Sequence, residues 1–210
     1  MFMLLVTSPA RPVLRVAVGA LAVTAPDMAM ALTCLVTWAA PGLLGADVVG
    51  YVVTTLLLEF FVIHSAAFMG VAAVAPFPRA LRVAIVVALG GLYMLMLQPI
   101  ARVTGQPWIV WAFWGLVLNR LWALAAPAVD AGLRSSQPVQ SEWLRCGLLY
   151  VGLAVITSLL PVPTLGFAVD GAWQRAAGTG LWVDAPQHAM AFGALYFGGN
   201  AWLRLRASAA

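Results

Sequence analysis

The chain contains no lysine, and charge of either sign is scarce: eleven arginines stand against seven acidic residues in 210 positions. Charged residues make up 9% of the sequence, whereas a water-soluble domain carries about 25%. So little charge cannot cover a water-exposed surface, which excludes an ordinary soluble fold. Cysteine is nearly missing as well. Cys34 and Cys146 are the two present, without a CxxC or Cys/His cluster, so zinc and iron–sulfur centres have no signature. The sequence also lacks GxSxG and HExxH. Phe197-Gly198-Gly199-Asn200 is no phosphate loop, because it lies inside an apolar stretch; Ala194 and Gly198 read as a helix-packing pair. The net charge of +4 comes from arginines scattered in ones and twos at segment ends. That pattern points to membrane topology and away from nucleic acid.

What is present is apolar: 63% of the positions. A helix crossing a bilayer needs about 20 mostly apolar residues, and six such segments fit, at approximately 12–38, 48–74, 80–103, 107–126, 142–160 and 186–203. The expected fold is all-α, a polytopic bundle of six transmembrane helices forming a single integral membrane domain over 1–210. Prolines punctuate it. Pro76-Phe77-Pro78 and Pro161-Val162-Pro163 end the second and fifth segments, and Pro107 opens the fourth. Pro26 sits in the middle of the first, which is then either one kinked helix or two half-helices. Residues 166–185, with their glycines and tryptophans, read as an interfacial connection. The leading MFMLLVTSPARPVLR is not a signal-peptide pattern, because its arginines follow the apolar run, so it is expected to stay on the protein.

Arginine placement orients the bundle. With the N-terminus inside, Arg11, Arg15, Arg79, Arg82, Arg134, Arg145, Arg204 and Arg206 fall on the inner side, Arg102 and Arg175 on the outer. Six crossings give this bias, and a miscount by one erases it. Both termini are therefore expected in the cytoplasm. The short tails and the alanine and arginine bias suit a bacterial inner membrane. Trp38, Trp108, Trp143 and Trp182 fall near segment ends, as interfacial aromatics should. The run from Trp108 to Trp114 is expected to face lipid. Cys34, near the outer end of the first helix, and Cys146, near the inner end of the fifth, lie too far apart for a disulfide.

Polar groups at mid-membrane are costly and mark places to look. Asp27 lies in the first segment, Glu59 and His64 in the second, Asn119 and Arg120 in the fourth. Thr55, Ala66, Gly70 and Ala73 share a helical face with Glu59, a small face that turns the acid into the bundle. An Arg120–Glu59 pair, or a triad with Asp27, is the economical expectation, serving either as a structural lock or as a proton relay. Arg120 could instead reach the inner interface beside Asp130. Gln98, Asp184 and His188 could form an outer pocket with Glu59, with Asp184 and His188 paired at i and i+4. His64, among phenylalanines, is expected to be neutral and bonded to a neighbouring helix. Together His64 and His188 could ligate a haem, although a depth offset of on the order of 10–15 Å opposes it. No cofactor is expected.

The stretch Leu56-Leu57-Leu58-Glu59-Phe60-Phe61-Val62-Ile63-His64-Ser65-Ala66-Ala67-Phe68-Met69 resembles a segment of uncharacterised bacterial multi-pass membrane proteins. Those also carry a tryptophan-ended first helix and a buried acid in the second. The group has no assigned activity, so the resemblance implies no catalytic residue; it singles out Glu59 and His64. The leading expectation is a non-enzymatic membrane bundle, a partner subunit or scaffold in a larger assembly or a homo-oligomer, in contact with the lipid bilayer. The alternatives are a proton-coupled or small-solute transporter using Glu59 and a membrane redox protein using His64 and His188.

Overall fold

The structure is a computed structural model, and it describes residues 10–45, 47–125, 136–167 and 180–209. Among these residues the architecture is all-helical. The helices are α1 (Ala10–Ala39), α2 (Asp47–Val74), α3 (Arg79–Thr104), α4 (Trp108–Ala125), α5 (Ser136–Leu159), the single turn α6 (Leu181–Asp184) and α7 (Pro186–Ala209). A 3-10 turn at Pro41–Leu43 joins α1 to α2. Among the described residues, three helices are long and apolar enough to cross a membrane: Gly19–Ala39, Asp47–Ala73 and Arg79–Thr104, with mean hydropathies of 1.6, 1.9 and 2.2. Trp143–Leu159 is a shorter apolar helix.

Local chemistry explains the boundaries. Pro78 precedes α3, where a missing N–H costs nothing. Gly105 ends α3 in the left-handed region, φ 65°, where its N–H reaches the carbonyls of Ala101 and Arg102. Arg82 of α3 donates from Nη1 to the Ala73 carbonyl over 2.8 Å, covering a last-turn acceptor of α2. Pro26 lies inside a continuous α1, so the first segment is one helix and not two halves. Apolar neighbours on both sides keep the chain helical around the one lost backbone bond.

Two apolar cores share α2. One gathers Cys34 of α1, Val52 and Leu56 of α2, Tyr150 of α5 and Phe192 and Tyr196 of α7. The other gathers Phe61 and Met69 of α2, Tyr93 and Leu97 of α3, and Ile109, Phe113 and Val117 of α4. The α1–α7 and α2–α5 pairs run antiparallel, whereas α2 and α7, joined at Leu56–Gly193 and Glu59–Tyr196, run parallel. Along α1 and α7, Ala31 faces Gly198 and Cys34 faces Gly193. Along α2 and α5, Trp143 donates to the Ile63 carbonyl and Tyr150 to that of Leu56. The α1–α7 contact is the closest of these. A Cβ on Gly193 would stand 2.6 Å from Cys34 Sγ, so glycine is what admits the sulfur. In a membrane, where apolar side chains gain nothing by leaving lipid, such close approach is a main source of cohesion.

Some expectations shift. The fifth helix begins at Ser136 and the last ends at Ala209, both beyond the apolar segments, because a helix continues past an apolar run when nothing stops it. Trp143 accordingly lies well inside α5, bonded to α2, and not at a helix end. Gly70 has no atom within 4 Å of a would-be Cβ, so it makes no close helix contact. Both cysteines are free. Arg11, Arg15, Asp130, Arg134 and Arg175, with most of the interfacial connection, lie outside the residues or side chains described.

Candidate functional site: an interhelical polar stripe

Counting by fours along α7 from His188 gives His188, Phe192, Tyr196, Asn200 and Arg204, a stripe that winds by about 40° per step around the helix. Each polar member meets a partner on another helix. His188 Nδ1 donates to the Thr157 carbonyl of α5. The Tyr196 hydroxyl donates to Glu59 Oε1 of α2 over 2.8 Å. Asn200 Oδ1 accepts from Cys146 Sγ of α5 at 3.6 Å, and Asn200 also lies within hydrogen-bond reach of the Tyr196 hydroxyl. Arg204 Nη1 donates to Asp27 Oδ2 of α1 over 2.7 Å, as an ion pair. Tyr196 and Asn200 are fully buried, with relative exposures of 0% and 2%.

Aromatic rings wall the stripe. Tyr150 stands edge-on to Phe192 at 4.8 Å and to Tyr196 at 5.2 Å, and Trp182 stacks on Phe192 at 5.4 Å. The Tyr150 hydroxyl is spent on the Leu56 carbonyl over 2.7 Å. Glu59 is thus held in a ring-lined setting, with the Asp27 and Arg204 charges within electrostatic range. In so low a dielectric each polar contact is stronger than in water, and each unmade one costs more.

The expected site residues distribute as follows. Asp27 and Glu59 come together in one polar cluster, joined by Arg204 and Tyr196. The structure gives Asp27 a different partner from Arg120, because α7 continues as helix through Arg204 and carries that guanidinium into reach. Arg120 lies elsewhere. Phe113 and Phe61 both pack on Tyr93, which sets them at one level. Arg120 is two turns past Phe113 while Glu59 precedes Phe61, a depth difference on the order of 12 Å. The register follows from Val117, whose Cγ1 would lie 3.1 Å from a Cβ on Gly90 of α3. Asn119 and Arg120 are both exposed on α4.

The expected outer pocket is not assembled. Asp184 accepts from the Gly180 N–H within its own turn, His188 is bonded to Thr157, and Gln98 is exposed on α3, which packs on α2 and α4. His64 is paired through Nδ1 with the Tyr93 hydroxyl of α3 at 2.8 Å and stacked on Phe60. It lies beside Ile63, level with Trp143, whereas His188 is level with Thr157. Fourteen residues of α5 separate those levels, about 20 Å, and two axial ligands must flank one iron. The histidines therefore do not fit a shared haem. No group of three His, Cys, Asp or Glu side chains converges among the described residues.

Sequence reasoning missed Tyr196, Asn200 and Arg204 as partners. The four-residue spacing along α7 was the available signal. Comparison with protein-family models, curated proteins and solved structures finds no match to this chain.

Proposed function

We propose that this chain is a six-pass protein of a bacterial inner membrane, with both termini cytoplasmic, that serves as a non-enzymatic partner subunit of a larger membrane assembly. What carries the reading is the α7 stripe. Its polar groups are spent on Glu59, Asp27, Cys146 and Thr157, so the intramembrane polarity goes into holding α1, α2, α5 and α7 in register. Buried polar contacts suit that role because they are direction-specific where lipid-like packing is not.

The test has two parts. Cross-linking in native membranes, followed by sizing, should find the chain in a complex with another polypeptide. Proteoliposomes holding the purified protein and a pH-sensitive dye should be no more proton-permeable than empty ones. Isolation as a lone monomer, or a proton flux abolished by Glu59→Gln, rejects the reading.

One observation favours a second reading, proton-coupled transport. Glu59, Tyr196, Asn200, Asp27 and Arg204 form a nearly continuous row of polar atoms from the middle of α2 toward the end of α7. A row of this kind is what a relay requires, and the flux measurement discriminates between the two.

A further inference from the structure

His64 belongs to a part of α2 that the polar stripe does not touch. Phe60, His64 and Phe68 follow one another at single turns of α2 and span about 80° of its surface. All three are exposed. On one side of them α3 brings Tyr93 to His64. On the other, α5 brings Tyr150 to Phe60, with ring centroids 6.0 Å apart, and Trp143 to the Ile63 carbonyl. Both flanking helices pack on α2, but not closely on each other. The three rings thus floor a groove between α3 and α5. Phe60 lies parallel to the imidazole at 5.4 Å, and Phe68 stands at 71° to it, 5.0 Å away.

The Tyr93 hydroxyl and His64 Nδ1 are 2.8 Å apart, and burial decides which of them donates. Tyr93 is 5% exposed, and among the described residues its hydroxyl has no other acceptor. A proton on Nδ1 would leave the phenolic hydrogen buried and unmatched, which is costly. The hydroxyl therefore donates, and a neutral ring keeps its proton on Nε2. That N–H has no acceptor among the described residues, on a side chain that is exposed. α2 is one of the helices long and apolar enough to cross a membrane, and His64 lies about 5 Å from its midpoint. With α2 centred in a hydrocarbon core about 30 Å thick, lipid ester carbonyls and water begin roughly 10 Å farther out. Another helix keeps its backbone carbonyls in its own ladder. The acceptor that fits is a carbonyl on a molecule dissolved in the hydrocarbon.

We propose that this groove binds the ring of a membrane-soluble quinone, one ring carbonyl accepting from His64 Nε2–H. A quinone is flat, carries its acceptors on the ring edge and reaches the groove through lipid. Phe60 and Phe68, on either side of the imidazole, offer the aromatic surface that such a ring packs against. Tyr93 is a positioning residue: it fixes the tautomer and the orientation of the imidazole. The step is binding alone, with no bond made or broken. The proposal goes beyond the partner-subunit reading and does not depend on it.

The chain has two histidines, so NMR of isotope-labelled imidazole nitrogens in phosphatidylcholine nanodiscs sees two rings, assigned with His188→Gln. The unliganded protein should show His64 neutral and protonated on Nε2; a proton on Nδ1 overturns the proposal at its premise. Added decylubiquinone should move the His64 Nε2 signal saturably and leave His188 in place. Decylcyclohexane, which has no carbonyl, should not move it. Quenching of tryptophan fluorescence by the same quinone gives the affinity. His64→Leu should lower that affinity roughly three- to tenfold, the worth of one neutral hydrogen bond. Tyr93→Phe keeps His64 but releases its tautomer, and should lower the affinity by less. A His64 signal that ignores the quinone, or that drifts with quinone loading without saturating, overturns the proposal. So does one that follows decylcyclohexane equally, or an affinity unchanged in His64→Leu.

Discussion

The Tyr196 hydroxyl donates to Glu59 Oε1 across 2.8 Å, joining the middle of α7 to the middle of α2. One bond between two helix centres, among packed aromatic rings, fixes rotation as well as distance. Removing its two ends should have unequal effects. Tyr196→Phe leaves a buried carboxylate without its donor and should cost about 1–3 kcal/mol. Glu59→Gln keeps an acceptor oxygen for the hydroxyl and sheds a buried charge, so it should cost less. Unfolding in mixed micelles, followed by tryptophan fluorescence, ranks the two; the reverse order would show that Glu59 is held by something other than Tyr196.

The Asp27–Arg204 pair should reveal itself as coupling. Asp27→Ala and Arg204→Ala each remove one end of the ion pair, and the double variant removes both. In a double-mutant cycle the double should therefore be less destabilised than the sum of the singles, by about 1 kcal/mol. The Arg204 side chain is 32% exposed, which keeps the figure modest. Additive losses would mean that the two side chains act independently.

Close packing of α1 on α7 makes a steric prediction. Gly193→Ala would drive a methyl into Cys34 Sγ and should destabilise by about 1–3 kcal/mol. Cys34→Ala removes the sulfur and leaves its own Cβ 3.6 Å from the new methyl, an ordinary contact. Adding Cys34→Ala to Gly193→Ala should restore most of the lost stability. A double variant as unstable as Gly193→Ala alone would count against this packing.

The same sulfur supplies a chemical probe. Cys34 is fully buried and Cys146 only partly so. In detergent a maleimide should modify Cys146 first, and a Cys146→Ala protein should stay unlabelled until it is unfolded. Fast labelling of that variant in the folded state would contradict the α1–α7 interface.

Helix positions were largely legible in the sequence, because hydropathy and proline placement are local. Segments two, three and four were drawn to within a residue of α2, α3 and α4. Ends that leave the hydrocarbon were harder to read. Ser136 to Glu142 is polar and looks like loop, yet Pro138 falls in the first turn of α5, where a missing N–H is harmless. The site was half legible. Asp27 and Glu59 were marked by the cost of burying a charge, but partner identity depends on how far one helix slides past another. That register is set by contacts such as Val117 against Gly90, which no local pattern encodes. Tyr196 carries no such mark, because a tyrosine in an apolar run reads as filler; its steps of four to Asn200 and eight to Arg204 are the local clue.

The ion pair between α1 and α7 spans 177 residues of sequence, which gives the chain an order of assembly. While a ribosome is still making the middle helices, α1 lacks both the Arg204 contact of Asp27 and the Gly193 and Gly198 surface that packs on it. Both contacts wait for α7. A nascent chain cut short before Tyr196 would lack both the Tyr196–Glu59 bond and the Arg204–Asp27 pair, a difference that proteases and chaperones can read. Closure of the bundle thus doubles as a check that synthesis has reached α7.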